Sequence, residues 1–478
     1  MHRFERRLKL PVSRAELFAW HARPGAFERL SPSWERLEIV AREGSIKDGD
    51  RLHFRLRKGP IGIPWIARHR DYLPGRRFVD VAECSPFAAW EHTHAFVDAG
   101  PGAAELRDQV GFRLPLDRLS WPLAGRRVEA MLDRMFRQRH VRTANDLRRH
   151  QAVADRGPLR VAVSGASGLV GSELQAFLTT GGHTVVPLVR SSKPRAGQIA
   201  WDPQAGVRDP AVLERFDAVV HLAGESIAER WTPTKRERIR SSRVAGTRSL
   251  CEALARLEHK PEVLVCASAI GLYGDAGEAE LDEDAPAGEG FLAELAREWE
   301  AATEPARAAG IRVVKLRIGI VMSARGGALA KLRLPLRLGL GGPVGDGRQW
   351  QSWIDLDDLV GVIHHALFER SLRGPVNAVA PTPVRQAELA RTLGRVLRRP
   401  AILPLPAPVV RALFGELGRE VLLAGQRVRC DRLLASGFRF DFPALEDSLR
   451  HQLGRADADA VARAVGSFEA RTSASSAA

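Results

Sequence analysis

The chain has 478 residues, 45% of them hydrophobic, which allows three domains or fewer at about 150 residues each, every one with its own core. Its four cysteines form no C-x-x-C pair, which indicates neither a disulfide framework nor a zinc site and favours a reducing cytoplasm. The net charge of +15 arises from arginines scattered among 57 acidic residues, and no signal peptide or apolar run of membrane-helix length occurs, so we expect a soluble protein without nucleic-acid partners.

Residues 1–150 show the pattern of strands around helices. An opening strand over 3–10 precedes two short helices that begin after a Ser13 cap. Six β-rich, partly alternating segments follow between 37 and 114. Residues 123–150 then place apolar side chains at helical spacing, which predicts one long closing helix.

This order of elements resembles the START-like (SRPBCC), helix-grip superfamily, an α+β fold in which a curved antiparallel sheet wraps the final helix around a cavity. The resemblance rests on element order alone. It implies a cavity that takes an apolar ligand, since alternate side chains of such strands face inward. Phe54, Trp65, Phe87 and Trp90 are candidates for its lining, with ordinary core packing as the alternative.

His92 and His94 alternate within "WEHTHAF" and therefore face the same side of that strand. Two histidines alone indicate a metal only weakly, and surface or core roles are the simpler interpretation. No metal site is predicted in this chain.

The polar segment over 150–158 ends in Gly-Pro and predicts a linker to a second domain over 158–453. There the strand "LRVAVSG" leads into Gly165-x-x-Gly168-x-x-Gly171 and an amphipathic helix. Glycines suit a tight turn whose backbone N–H groups approach a pyrophosphate at a helix N-terminus. In this strand–turn–helix context they predict a dinucleotide-binding loop.

The next apolar strand ends at Arg190, followed by Ser191 and Ser192. An NAD-selective site would place an acid there, and an acid would repel a 2′-phosphate. A guanidinium and hydroxyls would instead hydrogen-bond it, which favours NADP as the cofactor. An exposed arginine without a ligand remains the alternative.

A further buried strand ends in the small-residue turn Leu222, Ala223, Gly224, which allows close approach of a flat ring system. The helix after it carries Arg243, and the strand within 262–275 has Ser268 near its end. Strands that alternate with helices after a glycine-rich first turn predict an α/β fold with a Rossmann-type, doubly wound parallel sheet.

The motifs "GASGLVG", "HLAGESI", "ASAIGLYGD" and "GDGRQWQSWIDLDDL", in this order, resemble the atypical short-chain dehydrogenase/reductases of the epimerase-like family once described as cell-division-inhibitor-like. The resemblance spans residues 160 to about 453, and its last part, about 400–453, is similar to a small C-terminal segment peculiar to that family. It implies that NADP is bound by residues of the loop, the second strand end, the turn and the next helix: Gly165, Ser167, Gly168, Leu169, Val170, Gly171, Arg190, Leu222, Ala223, Gly224 and Arg243.

Two features depart from expectation. The family's "SWI" is usually followed by histidine, where this chain has Asp355, so that histidine's role is in doubt here. Active short-chain dehydrogenases also use a Tyr-x-x-x-Lys pair, in which the lysine lowers the pKa of the tyrosine that moves the proton. The corresponding helix, within 289–302, has Phe291 and Leu295, or Leu292 and Ala296, at this spacing.

Neither pair can move a proton, and the chain's two tyrosines, Tyr72 and Tyr273, do not fit the motif. Three explanations stay open: Tyr273, Ser268 or Glu300 replaces the acid, the hydride chemistry needs no strong acid, or the domain binds NADPH without turnover. We predict an oxidoreductase with an unknown small-molecule substrate, with a non-catalytic NADPH-binding sensor or scaffold as the alternative. Residues 456–478 are predicted to form a disordered tail.

Overall fold

The computed structural model describes residues 1–207 and 209–476, with side chains to residue 470. The chain divides into two compact units. The first comprises Met1–Ala154, Thr179–Gly182 and Arg450–Ala478, and the second comprises Asp155–Leu178 and His183–Leu449. Among the described helices, none combines the length and the apolar character that crossing a membrane requires.

The first unit contains a seven-stranded antiparallel sheet with the strand order β1-β7-β6-β5-β4-β3-β2. Its strands are β1 (His2–Leu10), β2 (Arg36–Glu43), β3 (Arg51–Lys58), β4 (Ile61–Leu73), β5 (Arg77–Cys84), β6 (Ala89–Asp98) and β7 (Ala104–Arg113). Its first helices are α1 (Arg14–Ala22), α2 (Ala26–Leu30) and α3 (Asp117–Gln151). The Ser13 side chain caps α1 by accepting from the Glu16 N–H at 3.2 Å. The predicted series of elements is therefore confirmed.

Alternation along the sheet decides which side chains enter the core of this unit. In β6, every second residue from Trp90 to Phe96 is buried, and the residues between these positions are half-buried. Leu132 and Phe136 of α3 are fully buried and belong to one apolar cluster with Trp90 and Phe112. The long helix α3 therefore packs on the sheet through its apolar stripe. The START-like assignment of this unit stays a prediction.

The second unit contains a seven-stranded, all-parallel sheet with the strand order β10-β9-β8-β11-β12-β14-β18. Its strands are β8 (Arg160–Ser164), β9 (Thr184–Val189), β10 (Ile199–Ala200), β11 (Ala218–His221), β12 (Val263–Ala269), β14 (Arg312–Ile318) and β18 (Gly374–Ala378). Three short ladders pair β13 (Glu280–Leu281) with β20 (Arg427–Val428), β15 (Ile320–Met322) with β17 (Trp353–Asp355), and β16 (Trp350–Gln351) with β19 (Val384–Arg385).

The helices of this part of the chain are α4 (Leu169–Thr180), α5 (Pro233–Ala255), α6 (Phe291–Ala301), α7 (Glu304–Ala308), α8 (Gly327–Arg337), α9 (Leu356–Phe368), α10 (Gln386–Leu397), α11 (Ala407–Phe414), α12 (Asp431–Ala435) and α13 (Leu445–Gln452). The central strands are buried along almost their whole length, as expected for a sheet covered on both faces. The strand order reverses between β8 and β11, and ligands of such sheets bind at the carboxyl ends of the strands at this point. The predicted Rossmann-type parallel sheet is confirmed.

The predicted disordered tail is wrong for most of its length, because helix α14 (Ala460–Ser476) lies there and packs on α3. Ala464 and Phe468 are buried at helical spacing, and Phe468 is only 1% exposed. This short apolar stripe was present in the sequence, but the polar, serine-rich end obscured it. Residues 477 and 478 lie outside the described residues.

Candidate functional site

The loop after β8 and the first turn of α4 leave no space for side chains at Gly165 and Gly171. Gly165 has a φ of +70°, and a Cβ at this position would lie 2.7 Å from the backbone of Leu222. A Cβ at Gly171 would lie 2.2 Å from the Gly165 carbonyl oxygen, to which the Gly168 N–H donates at 2.9 Å. The loop therefore presents bare backbone at the N-terminus of α4, which fits a pyrophosphate group. The other predicted loop residues are Ser167, which is exposed, and Leu169 and Val170, which are half-buried.

A buried polar network holds this loop against the turn after β11. The N–H groups of Leu222 and Ala223 donate to Ser164 Oγ at 3.2 and 3.3 Å. Because that hydroxyl accepts twice, it can donate to His221 Nδ1, which lies 2.6 Å away. His221 Nε2 lies 3.0 Å from Thr247 Oγ1, and burial lowers the pKa of His221 to about 4. The sequence analysis missed Ser164 and His221, although both are polar ends of otherwise apolar strands.

The two predicted cofactor-binding arginines, Arg190 and Arg243, lie around Glu225. Arg243 Nη1 donates to the Glu225 carbonyl at 2.9 Å, and burial lowers the pKa of Arg243 to about 10. A Cβ at Gly224 would lie 3.0 Å from the Arg243 guanidinium carbon, so this glycine makes room for the guanidinium. Arg190 is exposed after β9, and its charge adds to the effect of a Lys235 hydrogen bond in lowering the pKa of the Glu225 carboxyl.

The candidate acids Ser268, Tyr273 and Glu300 belong to one buried hydrogen-bond network. Ser268 Oγ donates to Glu300 Oε1 at 2.8 Å. Arg317 donates to both oxygens of Glu300 and also from Nη1 to Tyr273 OH at 2.9 Å. The Tyr273 hydroxyl is 2.7 Å from Asn377 Oδ1, to which it donates. Glu300 is therefore an ion-paired interior residue, and the alternative of a helix-surface charge is wrong.

Burial decides the protonation of the Tyr273 phenol. Both Ser268 and Tyr273 are only 3% exposed. Burial raises the pKa of Tyr273, and the adjacent Arg317 opposes this increase without cancelling it. The phenol therefore stays protonated at neutral pH and acts as a hydrogen-bond donor.

The positions of the missing tyrosine and lysine on α6 serve packing. The residues at this spacing are buried or half-buried and apolar: Phe291, Leu292, Leu295 and Ala296. Phe291 and Leu295 share a cluster with Trp231, Ile239 and Leu417. These positions hold apolar side chains in the core, so they present no proton donor.

Asp355, which stands where the family's histidine is expected, caps helix α9. Its Oδ1 accepts from the Asp357 N–H at 2.8 Å, and its Oδ2 accepts from Ser448 Oγ at 2.6 Å. Burial, together with the charges of Asp357 and Asp358, raises the pKa of Asp355 well above its usual range. This side chain therefore has a structural function at the helix N-terminus.

The aromatic residues predicted to line a cavity in the first unit contact one another. The ring centroids of Trp65 and Phe54 are 5.7 Å apart, and those of Trp65 and Trp90 are 5.2 Å apart. Phe87 lies 4.9 Å from Trp90. Phe54, Trp65 and Phe87 are half-buried, so the cluster keeps some accessible aromatic surface.

A doubly wound parallel sheet with a bare glycine loop at its switch point defines the class of Rossmann-type, dinucleotide-binding proteins. A family model described as the NAD dependent epimerase/dehydratase family matches residues 161–377, and one described as a domain of unknown function (DUF1731) matches 405–452. The chain is 41% identical over 296 residues to the epimerase family protein Mb2239 of Mycobacterium bovis, covering 62% of this chain and 98% of that protein. The chain belongs to this epimerase family, which confirms the resemblance seen in its motifs.

Two solved structures extend the comparison. A crystal structure named as the nucleoside-diphosphate sugar epimerase from Corynebacterium glutamicum has a TM-score of 0.79 and 32% identity, covering 99% of this chain and 98% of that one. The crystal structure of the human epimerase family protein SDR39U1 with NADPH has a TM-score of 0.57 and 38% identity, covering 62% of this chain and 99% of that one. The likeness to the first structure therefore extends over nearly the whole chain.

Proposed function

We propose that the chain is an NADP(H)-binding, epimerase-like oxidoreductase that acts on a small molecule. The observation that carries the proposal is the loop at Gly165 and Gly171, where a Cβ would collide with backbone atoms. When bound, NADP(H) would supply hydride transfer. The NADPH in the structure of the human relative, which is 38% identical, supports this cofactor.

Different residues of the chain would bind different parts of this cofactor. Backbone N–H groups of the loop over 165–171 would bind the pyrophosphate. The Leu222, Ala223, Gly224 turn would lie against a flat ring. Arg190 and Arg243 would supply positive charge, and the exposed Arg190 guanidinium would bind the 2′-phosphate.

Ser268 and Tyr273 are the proposed catalytic groups. Ser268 lies near the carboxyl end of β12, the edge of the sheet at which ligands of this fold bind. Tyr273 follows directly, and its phenol is protonated and held beside the Arg317 cation. A buried phenol that stays protonated at neutral pH is suited to deliver a proton.

A specific observation favours the alternative of a non-catalytic NADPH-binding sensor or scaffold. The hydroxyls of Ser268 and Tyr273 both have buried protein partners, Glu300 and Asn377. The tyrosine and lysine positions of α6 are occupied by core side chains. Both hypotheses require NADPH binding and differ only in its consumption.

NADPH affinity and turnover with a metabolite panel, measured on the same variants, distinguish the two hypotheses. For an oxidoreductase, Tyr273→Phe and Ser268→Ala should each lower turnover by roughly 10² with nearly unchanged NADPH affinity. An unimpaired double variant would refute the catalytic assignment, and no NADPH consumption with any metabolite would favour the sensor. Gly171→Val should abolish NADPH binding, whereas Gly466→Ala, with nothing within 4 Å of its Cβ, should not.

We also propose that residues 1–150 form a START-like, helix-grip domain that binds an apolar ligand. The order of its elements and the half-buried aromatic cluster around Trp65 support this assignment. The lipid-stripped full chain should bind a hydrophobic fluorescent probe, and Trp65→Asp should weaken binding, whereas the exposed control Val40→Asp should not. A cytoplasmic location is proposed as well, in keeping with four free cysteines.

A further inference from the structure

Three neighbouring strands bring polar side chains together inside the otherwise apolar first unit. Asp80 on β5 pairs directly opposite His92 on β6, and His94 on β6 pairs directly opposite Asp108 on β7. Directly opposed residues of an antiparallel sheet have Cβ atoms roughly 5 Å apart. Because His92 and His94 are two positions apart, all four side chains lie on the same face of the sheet.

The distances between these side chains suit a single ion. His94 Nε2 lies 3.3 Å from Asp80 Oδ2, and His92 Nε2 lies 3.0 Å from Asp108 Oδ1. One potential ligand atom from each of Asp80, His92 and His94 lies within 4.8 Å of the other two. Atoms bound to one ion at about 2.1 Å are at most about 4.2 Å apart, so small side-chain rotations would complete the site.

Two polar atoms at this place have close neighbours but no hydrogen bonds. His94 Nδ1 is 3.0 Å from Asp108 Oδ1, and Asp80 Oδ1 is 2.8 Å from His69 Nε2. Neither contact has hydrogen-bond geometry, and neither atom has another hydrogen-bond partner among the described residues. His94 is only 5% exposed, and leaving a buried polar atom without a hydrogen bond is unfavourable. A metal ion bound to Asp80 would use the lone pairs of Asp80 Oδ1.

The charge of the cluster points in the same direction. Asp108 is buried and the Asp80 side chain is 24% exposed, and buried charges are normally paired or bound to metals. The nearby Arg139 donates from Nε to the Leu30 carbonyl at 3.0 Å, and its guanidinium lies 5.1 Å from the centre of the Phe136 ring. In the ion-free cluster these carboxylates are paired with histidine nitrogens. A divalent cation would take the place of that pairing while the histidines remain neutral, which is the form in which they bind metals.

Further histidines hold the carboxylates in place. His140 on α3 lies with Nε2 3.0 Å from Asp108 Oδ2, so the long helix orients this carboxylate. His69 Nδ1 lies 3.2 Å from the Asp50 carbonyl oxygen, which orients its other nitrogen toward Asp80. Such outer partners are typical of metal sites, where they fix the orientation of the ligands.

We propose that Asp80, His92 and His94 bind a divalent transition-metal ion of the Zn²⁺ type, with Asp108 positioning the two histidines. Two imidazoles with a carboxylate favour Zn²⁺, Fe²⁺ or Ni²⁺ over Mg²⁺ and Ca²⁺, which prefer all-oxygen ligands. Three protein ligands leave a coordination position for water or for a bound molecule. This proposal is independent of the NADP(H) site.

The test uses the untagged full chain, stripped with a chelator and reloaded with Zn²⁺ or Co²⁺. Metal content after gel filtration should be one equivalent lower in His94→Gln and in Asp80→Asn than in the unmodified chain. The Co²⁺ form should show visible absorption bands of a nitrogen- and oxygen-ligated ion, and both variants should lose them. His53→Gln on β3 is the matched control, because this half-buried histidine lies in the same sheet outside the cluster. The His53→Gln variant should keep the metal content and the Co²⁺ absorption bands of the unmodified chain.

Thermal melting shows which variants are folded and gives a second measure of Zn²⁺ binding. Zn²⁺ should raise the Tm of the stripped unmodified chain and of His53→Gln, and it should leave folded Asp80→Asn unchanged. If neither cluster variant folds, the Co²⁺ spectrum and the Zn²⁺-dependent Tm of the unmodified chain decide whether the chain binds the metal. Equal metal content in the unmodified chain and the folded variants would overturn the proposal, as would the absence of Co²⁺ bands together with an unchanged Tm.

Discussion

The Arg317 guanidinium donates two hydrogen bonds to the Glu300 carboxylate, from Nε to Oε1 at 2.8 Å and from Nη2 to Oε2 at 3.1 Å. Both side chains are buried, and the pair lies between Ser268, which donates to Glu300, and Tyr273, which accepts from Arg317. The positions of both proposed catalytic hydroxyls therefore depend on this ion pair.

Removing one partner of this pair should destabilise the protein strongly. Glu300→Ala leaves the Arg317 guanidinium buried without its counter-charge, and we expect the free energy of unfolding to fall by about 3–5 kcal/mol. Urea unfolding curves would measure the loss. The exposed pair of Arg307 and Glu304 is the control, since Glu304→Ala should leave the free energy of unfolding almost unchanged. Similar losses in both variants would contradict the structural role of the buried pair.

The preference for NADPH should depend on Arg190. We expect the unmodified chain to bind NADPH at least about tenfold more tightly than NADH, a difference of about 1.4 kcal/mol that one charge-assisted contact supplies. Arg190→Asp should remove the difference, as measured by calorimetric titration with both nucleotides. Arg370→Asp is the matched control, because Arg370 contacts Glu262 before β12, at the opposite edge of the sheet. Equal affinities in the unmodified chain would refute the prediction.

The buried His221 should make stability depend on pH. Burial lowers the pKa of His221 to about 4, whereas in the unfolded chain it is about 6.5. The unfolded state therefore binds the extra proton first, and this contribution to stability is complete above about pH 6.5 and is lost as the pH falls toward 4. The loss amounts to about 3 kcal/mol.

Urea unfolding between pH 7 and pH 4 would measure this dependence. His221→Gln should reduce the slope of stability against pH, and the exposed His259→Gln should leave the slope as it is. An unchanged slope in His221→Gln would show that another group causes the dependence.

Installing a tyrosine on α6 should not create an effective acid. Phe291→Tyr should restore little turnover, because Leu295 supplies no charge to bring the phenol pKa down from near 10. The new hydroxyl would also enter the apolar cluster around Trp231, which should lower the free energy of unfolding by about 1–3 kcal/mol. Melting curves would reveal this loss, and the half-buried Phe414→Tyr should show little of it. A large gain in turnover would mean that α6 faces the substrate.

The sequence by itself determined the features that depend on a few adjacent residues. Gly165 requires a positive φ and Gly171 lies against backbone, so this spacing after an apolar strand was sufficient to predict the loop and helix α4. Partly alternating patterns predicted the strands of the first sheet, and apolar runs between helices predicted those of the second. Ser13 predicted the start of α1. Helix α14 was missed because its apolar stripe is short and becomes buried only when the helix packs on α3.

Only the tertiary structure decided which distant side chains meet. Glu300 on α6 and Arg317 on β14 become partners because the helix and the strand pack together, which turns an apparent surface charge into a buried one. Asp80, His92 and His94 converge because the register of β5 and β6 sets Asp80 opposite His92. Local sequence determines backbone conformation through interactions that reach a few residues, whereas the environment of a charged group depends on strand register and helix packing, which no short motif contains.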